Sequence, residues 1–183
     1  TLKLSVYTTR IDTVFGMTYV VMAPDHKDVE KFITDEENAT CIEYIEKVKW
    51  KSDLERTETW KDKTWVFTWS YVINPYTNTK IPVYIWDYVL GNYGTWAVMA
   101  VPAHDERDFE FAHKHHIEII QSIAPVKWEI DLTKEAYTQD WILVNSWNFS
   151  WLTSEEARVK LSDYAEKNSF WTKKVNYILR DWL

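Results

Sequence analysis

Apolar and polar positions change period several times along the chain, and each change predicts an element. Leu2, Leu4, Val6 and Thr8 alternate with Lys3, Ser5, Tyr7 and Thr9, which predicts a strand. Thr18 to Ala23 is an apolar run closed by Pro24 and predicts a second strand. Asp28 to Phe32 reads as a short helix. Thr34-Asp35-Glu36-Glu37 has capping-box spacing ahead of Ala39, Ile42, Ile45 and Val48, an amphipathic helix with those four facing the core. Trp65 to Ile73 and Ile81 to Ile85 predict a hairpin around the turn chemistry of Tyr76-Thr77-Asn78-Thr79.

The second half of the chain opens on Gly94 to Phe109. Val98-Met99-Ala100-Val101 is an unbroken apolar run, as expected of a strand covered on both faces, and Pro102 ends it because proline cannot donate to a ladder. His104-Asp105-Glu106-Arg107-Asp108 then crowds three carboxylates into a predicted first helical turn, where the unsatisfied N–H groups favour negative charge. That helix should run from about Asp105 to His115, followed by a strand from Ile117 to Ile123 with apolar residues on both faces. Asp131 to Asp140 reads as a polar loop and Ile142-Leu143-Val144 as a short strand. Thr153-Ser154-Glu155-Glu156 is a second capping box, opening a helix to Lys167 with Ala157, Leu161, Tyr164 and Ala165 inward. Lys174 to Leu179 alternates again as a final strand. Lys49 to Lys63 is charged and aperiodic, a loop. Neither a repeat nor a Gly/Ser linker divides the chain. The expected architecture is one α+β domain over residues 1–183, with helices around a mixed, partly closed, β-barrel-like sheet.

A chain of 183 residues can bury a substantial core. There is no apolar run long enough for a membrane span and no leader pattern, and the lone Cys41 suits a reducing compartment, so the expected location is the cytoplasm. The strand-like start and the end at Trp182-Leu183 read as a piece cut from a longer protein. A net charge of −7 argues against broad nucleic-acid binding, while a contact with one nucleotide or one strand end is compatible with it. Histidines 104, 113, 115 and 116 bracket one predicted helix, yet 115 and 116 cannot face the same way and nothing completes a ligand shell, so no metal is assigned. Histidines near a helix C-terminus also complement its dipole. The hydroxyl cluster Thr8-Thr9-Arg10-Ile11-Asp12-Thr13 suits a ligand loop and, equally, a Thr or Asx turn.

One compositional fact changes the picture. A chain of this length ordinarily carries roughly 13 glycines, whereas this one has 3 glycines and 12 tryptophans. Trp141, Trp147 and Trp151 follow Asp or Ser, where turn chemistry expects glycine because it takes positive φ without a Cβ clash. We therefore expect that most of these tryptophans stand at glycine positions, through a codon, of the stop type, that the source organism reads as glycine.

Three stretches together resemble the editing insert of leucyl-tRNA synthetases: Thr8 to Gly16, Tyr93 to Asp108, and Lys174 to Trp182. They run in the right order over nearly the whole chain. Isoleucyl and valyl editing inserts share the Thr-Thr-Arg element but carry tryptophan after its proline, where this chain has Asp12, so the leucyl version fits better. The family has proline at Ile11, and glycine at Trp65, Trp69, Trp96, Trp141, Trp147, Trp151 and Trp171.

The resemblance implies the class I synthetase Val/Ile/Leu editing-domain fold and an aminoacyl-tRNA hydrolase within a leucine–tRNA ligase. Such a site hydrolyses the ester joining a noncognate amino acid (isoleucyl, norvalyl or similar) to the 3′-terminal adenosine of tRNA(Leu). An activating site rejects near-isosteres poorly, since one methylene is worth only about 1–3 kcal/mol. It implies that Asp108 binds the substrate's α-ammonium group and that Thr13 sterically excludes the leucyl ester. Thr8 and Thr9 contact substrate and position water, with Arg10 near the terminal nucleotide. Tyr93, Met99 and Val101 line the amino-acid and adenosine pockets. His104 is left between a hydrogen-bonding pocket wall and a loop filler, and Asp105 and Glu106 are read as helix-start charges. It further implies a monomer that works with the remaining synthetase domains in cis. No cofactor belongs to this domain, while ATP and magnesium serve the parent enzyme. The alternatives are an editing-inactive structural or tRNA-docking insert, which a bulky Trp96 beside the pocket strand favours, and the homologous isoleucyl or valyl domain.

Overall fold

The computed structural model describes residues 2–34, 38–49, 64–87, 89, 94–125 and 130–170. Its centre is a four-stranded mixed sheet of β1 (Tyr19–Met22), β2 (Trp65–Ile73), β3 (Lys80–Trp86) and β4 (Ala97–Ala100), in the spatial order β2-β3-β1-β4. β1 runs parallel to β3 and antiparallel to β4, with Val20 opposite both Val83 and Met99. β2 and β3 form the predicted hairpin, interrupted by a bulge between Phe67 and Tyr71. A separate two-stranded sheet joins β5 (Ile123–Ala124) to β6 (Ile142–Leu143). The sheet is mixed, as expected, but among the described residues it does not close into a barrel, since β2 and β4 stand at its two ends and do not pair with each other.

β1 is central because its residues serve opposite faces and all four are buried. Val20 points into a cluster with Ile11, Val14, Ile123, Leu143 and Leu161. Tyr19 and Val21 point the other way, toward Trp86, Phe111 and Ala112. Full burial of such side chains is worth about 1.5–3 kcal/mol each, which makes this strand the anchor of both halves.

Among the described residues three α-helices cover the sheet: α1 (Asn38–Lys49), α2 (Glu106–Lys114) and α3 (Ser154–Lys167). α3 carries the predicted capping box, in which the Thr153 hydroxyl accepts from Glu156 N while Glu156 accepts from Thr153 N. Ala157, Leu161 and Ala165 are buried as expected, whereas Tyr164 is 42% exposed and packs edgewise on Phe149. α1 is rotated relative to expectation: Cys41, Ile45 and Val48 face inward and Ile42 faces solvent. A Cys41-Ile45-Val48 stripe has the same helical spacing, and burying the thiol with two β-branched residues leaves Ala39 outside. The capping box proposed for this helix lies largely outside the described residues.

Two predicted strands take other forms. Residues 2–8 make a single bridge, Tyr7 beside Val98, and otherwise lay Leu4 and Val6 over two apolar clusters. Residues 117–122 form no strand of their own; Ser122 N donates to the His104 ring and Ser122 O accepts from Val144 N. Ile117 N donates to Ala112 O, and Ile120 O lies where a Cβ on Gly16 would come within 2.7 Å. The short helix at 28–32 is a 3-10 turn over Val29–Phe32. The loop at 49–63 and the final strand at 174–179 lie outside the described residues, apart from Lys49 at the end of α1.

Candidate functional site

β4 delivers the chain to the site. Its last residues lead into Val101 and a turn, and Asp105 then caps α2, its carboxylate accepting from Arg107 N at 2.9 Å and Asp108 N at 3.1 Å. Asp105 therefore satisfies orphan helix N–H groups, as expected of a helix-start charge. Asp108 is different. It lies in the first turn facing inward and is 7% exposed; one carboxylate oxygen accepts from Val101 N at 2.8 Å and the other from the Tyr19 hydroxyl at 3.4 Å. Burial, reinforced by the charge of Asp105, pushes its pKa up to about 7. Both groups donating to it are neutral.

The threonine loop enters from the opposite side. Tyr7 bridges to Val98 in parallel, with Tyr7 N donating to Ala97 O at 3.1 Å. A parallel bridge carries the next residues, Thr8 to Arg10, along β4 toward Val101, the residue that holds Asp108. Thr8 Oγ1 accepts from Arg10 N at 2.9 Å, the local turn expected of a threonine there. The chain then winds into a 3-10 helix, Ile11–Gly16, buried throughout. The proline expected at Ile11 is not needed to hold that turn, because Ile11 is pinned in the core. Thr13 is 1% exposed, and both its N–H and its hydroxyl donate to Arg10 O, at 3.0 and 2.8 Å. Met99 and Val101 are buried against Ile11 and Val14 of this helix.

Asp12 is fully buried at the helix start and is held by two guanidiniums. Arg10 Nη2 lies at 2.9 Å and Arg158 Nε, from α3, at 3.0 Å. Asp140 closes the ring by pairing with both arginines, and Arg10 Nη1 also donates to Thr138 O. Next to this cluster His104 is 5% exposed with both ring nitrogens occupied. Nε2 accepts from Ser122 N at 3.0 Å and Ile123 N at 3.1 Å, so Nδ1 carries the proton and donates to Tyr137 O at 2.9 Å. Burial above all drives its pKa down to about 4, which keeps the ring neutral. His104 is a brace tying three chain segments together under the site, and neither nitrogen is left to meet a substrate.

The structure thus packs Met99 and Val101 against the short helix that carries Thr13 and ties Asp108 to Val101, while Thr8 is used in the local turn and Arg10 is directed to Asp12, Asp140 and Thr138. Tyr93 lies outside the described residues. Sequence reasoning missed Tyr19, Asp140 and Arg158. The available signal was Asp12 itself, a carboxylate inside an otherwise apolar turn that needs a cation from elsewhere in the chain. Among the described residues, no group of three His, Cys, Asp or Glu is arranged to hold a metal ion. His115 is instead packed on Phe111 and accepts from Trp65 Nε1 at 3.1 Å. No described helix is long and apolar enough to cross a membrane.

The family described as "Leucyl-tRNA synthetase, editing domain" matches residues 1–166. A "Leucine--tRNA ligase" from Borrelia turicatae (strain 91E135) is 50% identical over 182 residues, covering 99% of this chain and 22% of that protein. The chain therefore spans about a fifth of the length of that curated relative. Among solved structures, the Agrobacterium radiobacter K84 agnB2 LeuRS in a ternary complex with tRNA and LeuAMS matches with a TM-score of 0.66 and 29% identity, over 91% of this chain and 17% of that one. On the matched family, the sequence identity and the shared fold together, the chain belongs to the leucyl-tRNA synthetase editing-domain family.

Proposed function

We propose that this chain is the editing module of a leucine–tRNA ligase, and that it hydrolyses the ester linking a noncognate amino acid to the terminal adenosine of tRNA(Leu). The observation that supports it most is Asp108, a buried carboxylate whose donors are both neutral. A carboxylate so placed gains most from an added cation, because burial penalises its charge until an opposite charge arrives. The α-ammonium of an aminoacyl ester is such a cation. Its docking fixes the ester carbonyl at the end of β4, beside Thr8 and Thr9. Water attacks the carbonyl carbon, the bond to the ribose oxygen breaks, and the ribose hydroxyl leaves with a proton. The chain's contribution is positioning and carbonyl polarisation through the threonine hydroxyls, worth several kcal/mol when donors are preorganised. No covalent acyl-enzyme is needed.

Thr13 suits the sieve because a sieve must be rigid, and its two hydrogen bonds to Arg10 O fix its side chain. The relative in complex with tRNA supports a tRNA substrate, and the net charge of −7 fits a domain that holds only the strand's end.

The test is deacylation of isoleucyl- and norvalyl-tRNA(Leu). Removing one partner of a buried charge pair costs about 2–5 kcal/mol, so Asp108→Ala should lower kcat/KM roughly 30-fold or more; equal rates refute the assignment. Thr13→Ala should begin to hydrolyse leucyl-tRNA, with a gain of roughly 10- to 200-fold for a methyl-sized change in a pocket. An unchanged leucyl rate removes Thr13 as the sieve.

A further inference from the structure

The ion-pair ring at Asp12 carries an assignment that rests on the editing reading above. We propose that Arg158 of α3 is a positioning residue for editing: it sets the threonine loop through Asp12 and so determines how sharply the leucyl ester is excluded. Asp12 sits at the first turn of the Ile11–Gly16 helix with no solvent exposure. Arg158 Nε and Nη2 reach its two oxygens at 3.0 and 3.4 Å, opposite the Arg10 guanidinium on the same carboxylate. Arg10 in turn presents the carbonyl that fixes Thr13. Four charged groups, Arg10, Asp12, Asp140 and Arg158, thus lock the loop to a helix 146 residues away in sequence. A fork of two parallel N–H bonds defines an orientation that a point charge does not.

Arg158→Lys and Arg158→Gln test this in the full-length synthetase. We expect the ratio of noncognate to leucyl deacylation to fall at least tenfold in both. Peptides spanning residues 8–16 should exchange amide hydrogens faster, while those from α2 stay unchanged. A merely structural role would lower both deacylation rates in proportion to the folded fraction and leave their ratio alone. That outcome, or unchanged exchange at 8–16, overturns the proposal. The parent reading fails separately, through an Asp108→Ala variant as active as wild type.

A second inference rests on the backbone alone. We infer that positions 69, 96, 147 and 151 are glycine in the protein as its own cell makes it, their codon being decoded there as glycine. These four tryptophans have φ of 59°, 61°, 48° and 73°. That is left-handed backbone, which a bulky side chain adopts only under strain. Each sits where a fold asks for glycine. Trp69 occupies the bulge of β2, Trp96 the turn that follows Gly94 into β4, and Trp147 and Trp151 the turns between β6 and α3. Their rings are 55%, 38%, 64% and 80% exposed. Trp65 and Trp86 lack positive φ and pack on Phe111 with centroids at 5.4 and 4.4 Å; Trp69 and Trp147 also meet a ring, Phe67 and Phe15, but from a left-handed backbone and largely in solvent. The structure thus narrows the compositional expectation: Trp65 and Trp141 lack the glycine conformation.

Peptide mass spectrometry of protein isolated from its own organism should find glycine at all four positions; tryptophan there refutes the inference. Recombinant chains give an independent reading. Trp69→Gly, Trp96→Gly, Trp147→Gly and Trp151→Gly should each hold or raise Tm, while Trp65→Gly and Trp86→Gly lower it. An equal loss in both sets overturns it.

Discussion

Asp12 and Asp108 are both buried carboxylates at the start of a helix, and the fold treats them in opposite ways. Asp12 is held by two guanidiniums, so its charge is neutralised within the protein. Asp108 is given a backbone N–H and a phenol, so its charge is solvated but not neutralised. The first arrangement suits a structural anchor, and the second suits the cation-binding role proposed for Asp108. A buried charge with its counter-charge built in has nothing to gain from a ligand, whereas one hydrogen-bonded only by neutral groups does.

The sharpest way to break this contrast is Asp12→Ala. Losing one partner of a buried pair costs about 3–5 kcal/mol, and the low end applies here because both arginines are about one-third exposed and return to water. The expected loss of about 3 kcal/mol lowers Tm by roughly 6–12 °C in a chain of this size. A melting curve unchanged from wild type would make Asp12 a spectator.

Asp108→Asn should act in the opposite direction. The folded pKa of about 7 lies above that of an unfolded aspartate, so between about pH 4 and 7 the folded chain binds the extra proton and stability falls as pH rises. The asparagine variant escapes that penalty. Its Tm should match wild type near pH 4, exceed it increasingly up to pH 7 and then hold a constant margin. His104 has the reverse slope: its pKa is depressed to about 4, so stability falls as pH drops through that same window. The variant should therefore also expose a steeper acid loss that Asp108 masks in wild type. Melting curves taken across pH 4–8 check both. A variant less stable than wild type at pH 7 would mean that a cation of the protein already neutralises Asp108.

The same contrast explains what was legible beforehand. The β2–β3 hairpin, the passage from β4 into α2 and the capping box of α3 are local, and their residues announce them. Asp108 could be told from Asp105 only through a family likeness, because facing inward depends on where β1 places Tyr19. The ring around Asp12 was invisible, since nothing in the spacing of Arg158 points to a partner so far away. Residues 117–122 misled for a related reason. Ile117 and Ile119 pack on one apolar cluster, as strand residues would, but Ile117 N closes the turn after α2 and Ser122 N is taken by the His104 ring. His104 was undecided because the occupancy of its two nitrogens is set by residues 122, 123 and 137.

The smallest effect concerns protonation during turnover. Asp108 must be ionised to take an ammonium, and the substrate's amino group must be protonated to supply one. The first condition is met above about pH 7 and the second below the amino pKa of about 8. The profile of kcat/KM for the noncognate ester should then be bell-shaped and rise about fivefold from pH 6 to 7. The kcat profile should be flatter on its acid limb, because a docked ammonium draws the Asp108 pKa down in the complex. Asp105 sharpens the assignment, since its charge is the second cause of the raised pKa and its carboxylate caps the helix. Asp105→Asn keeps a cap and removes the charge. It should move the acid limb of kcat/KM to lower pH while leaving the alkaline limb in place. An acid limb that stays put under Asp105→Asn would belong to some other group, and Asp108 would be returned to the same class as Asp12.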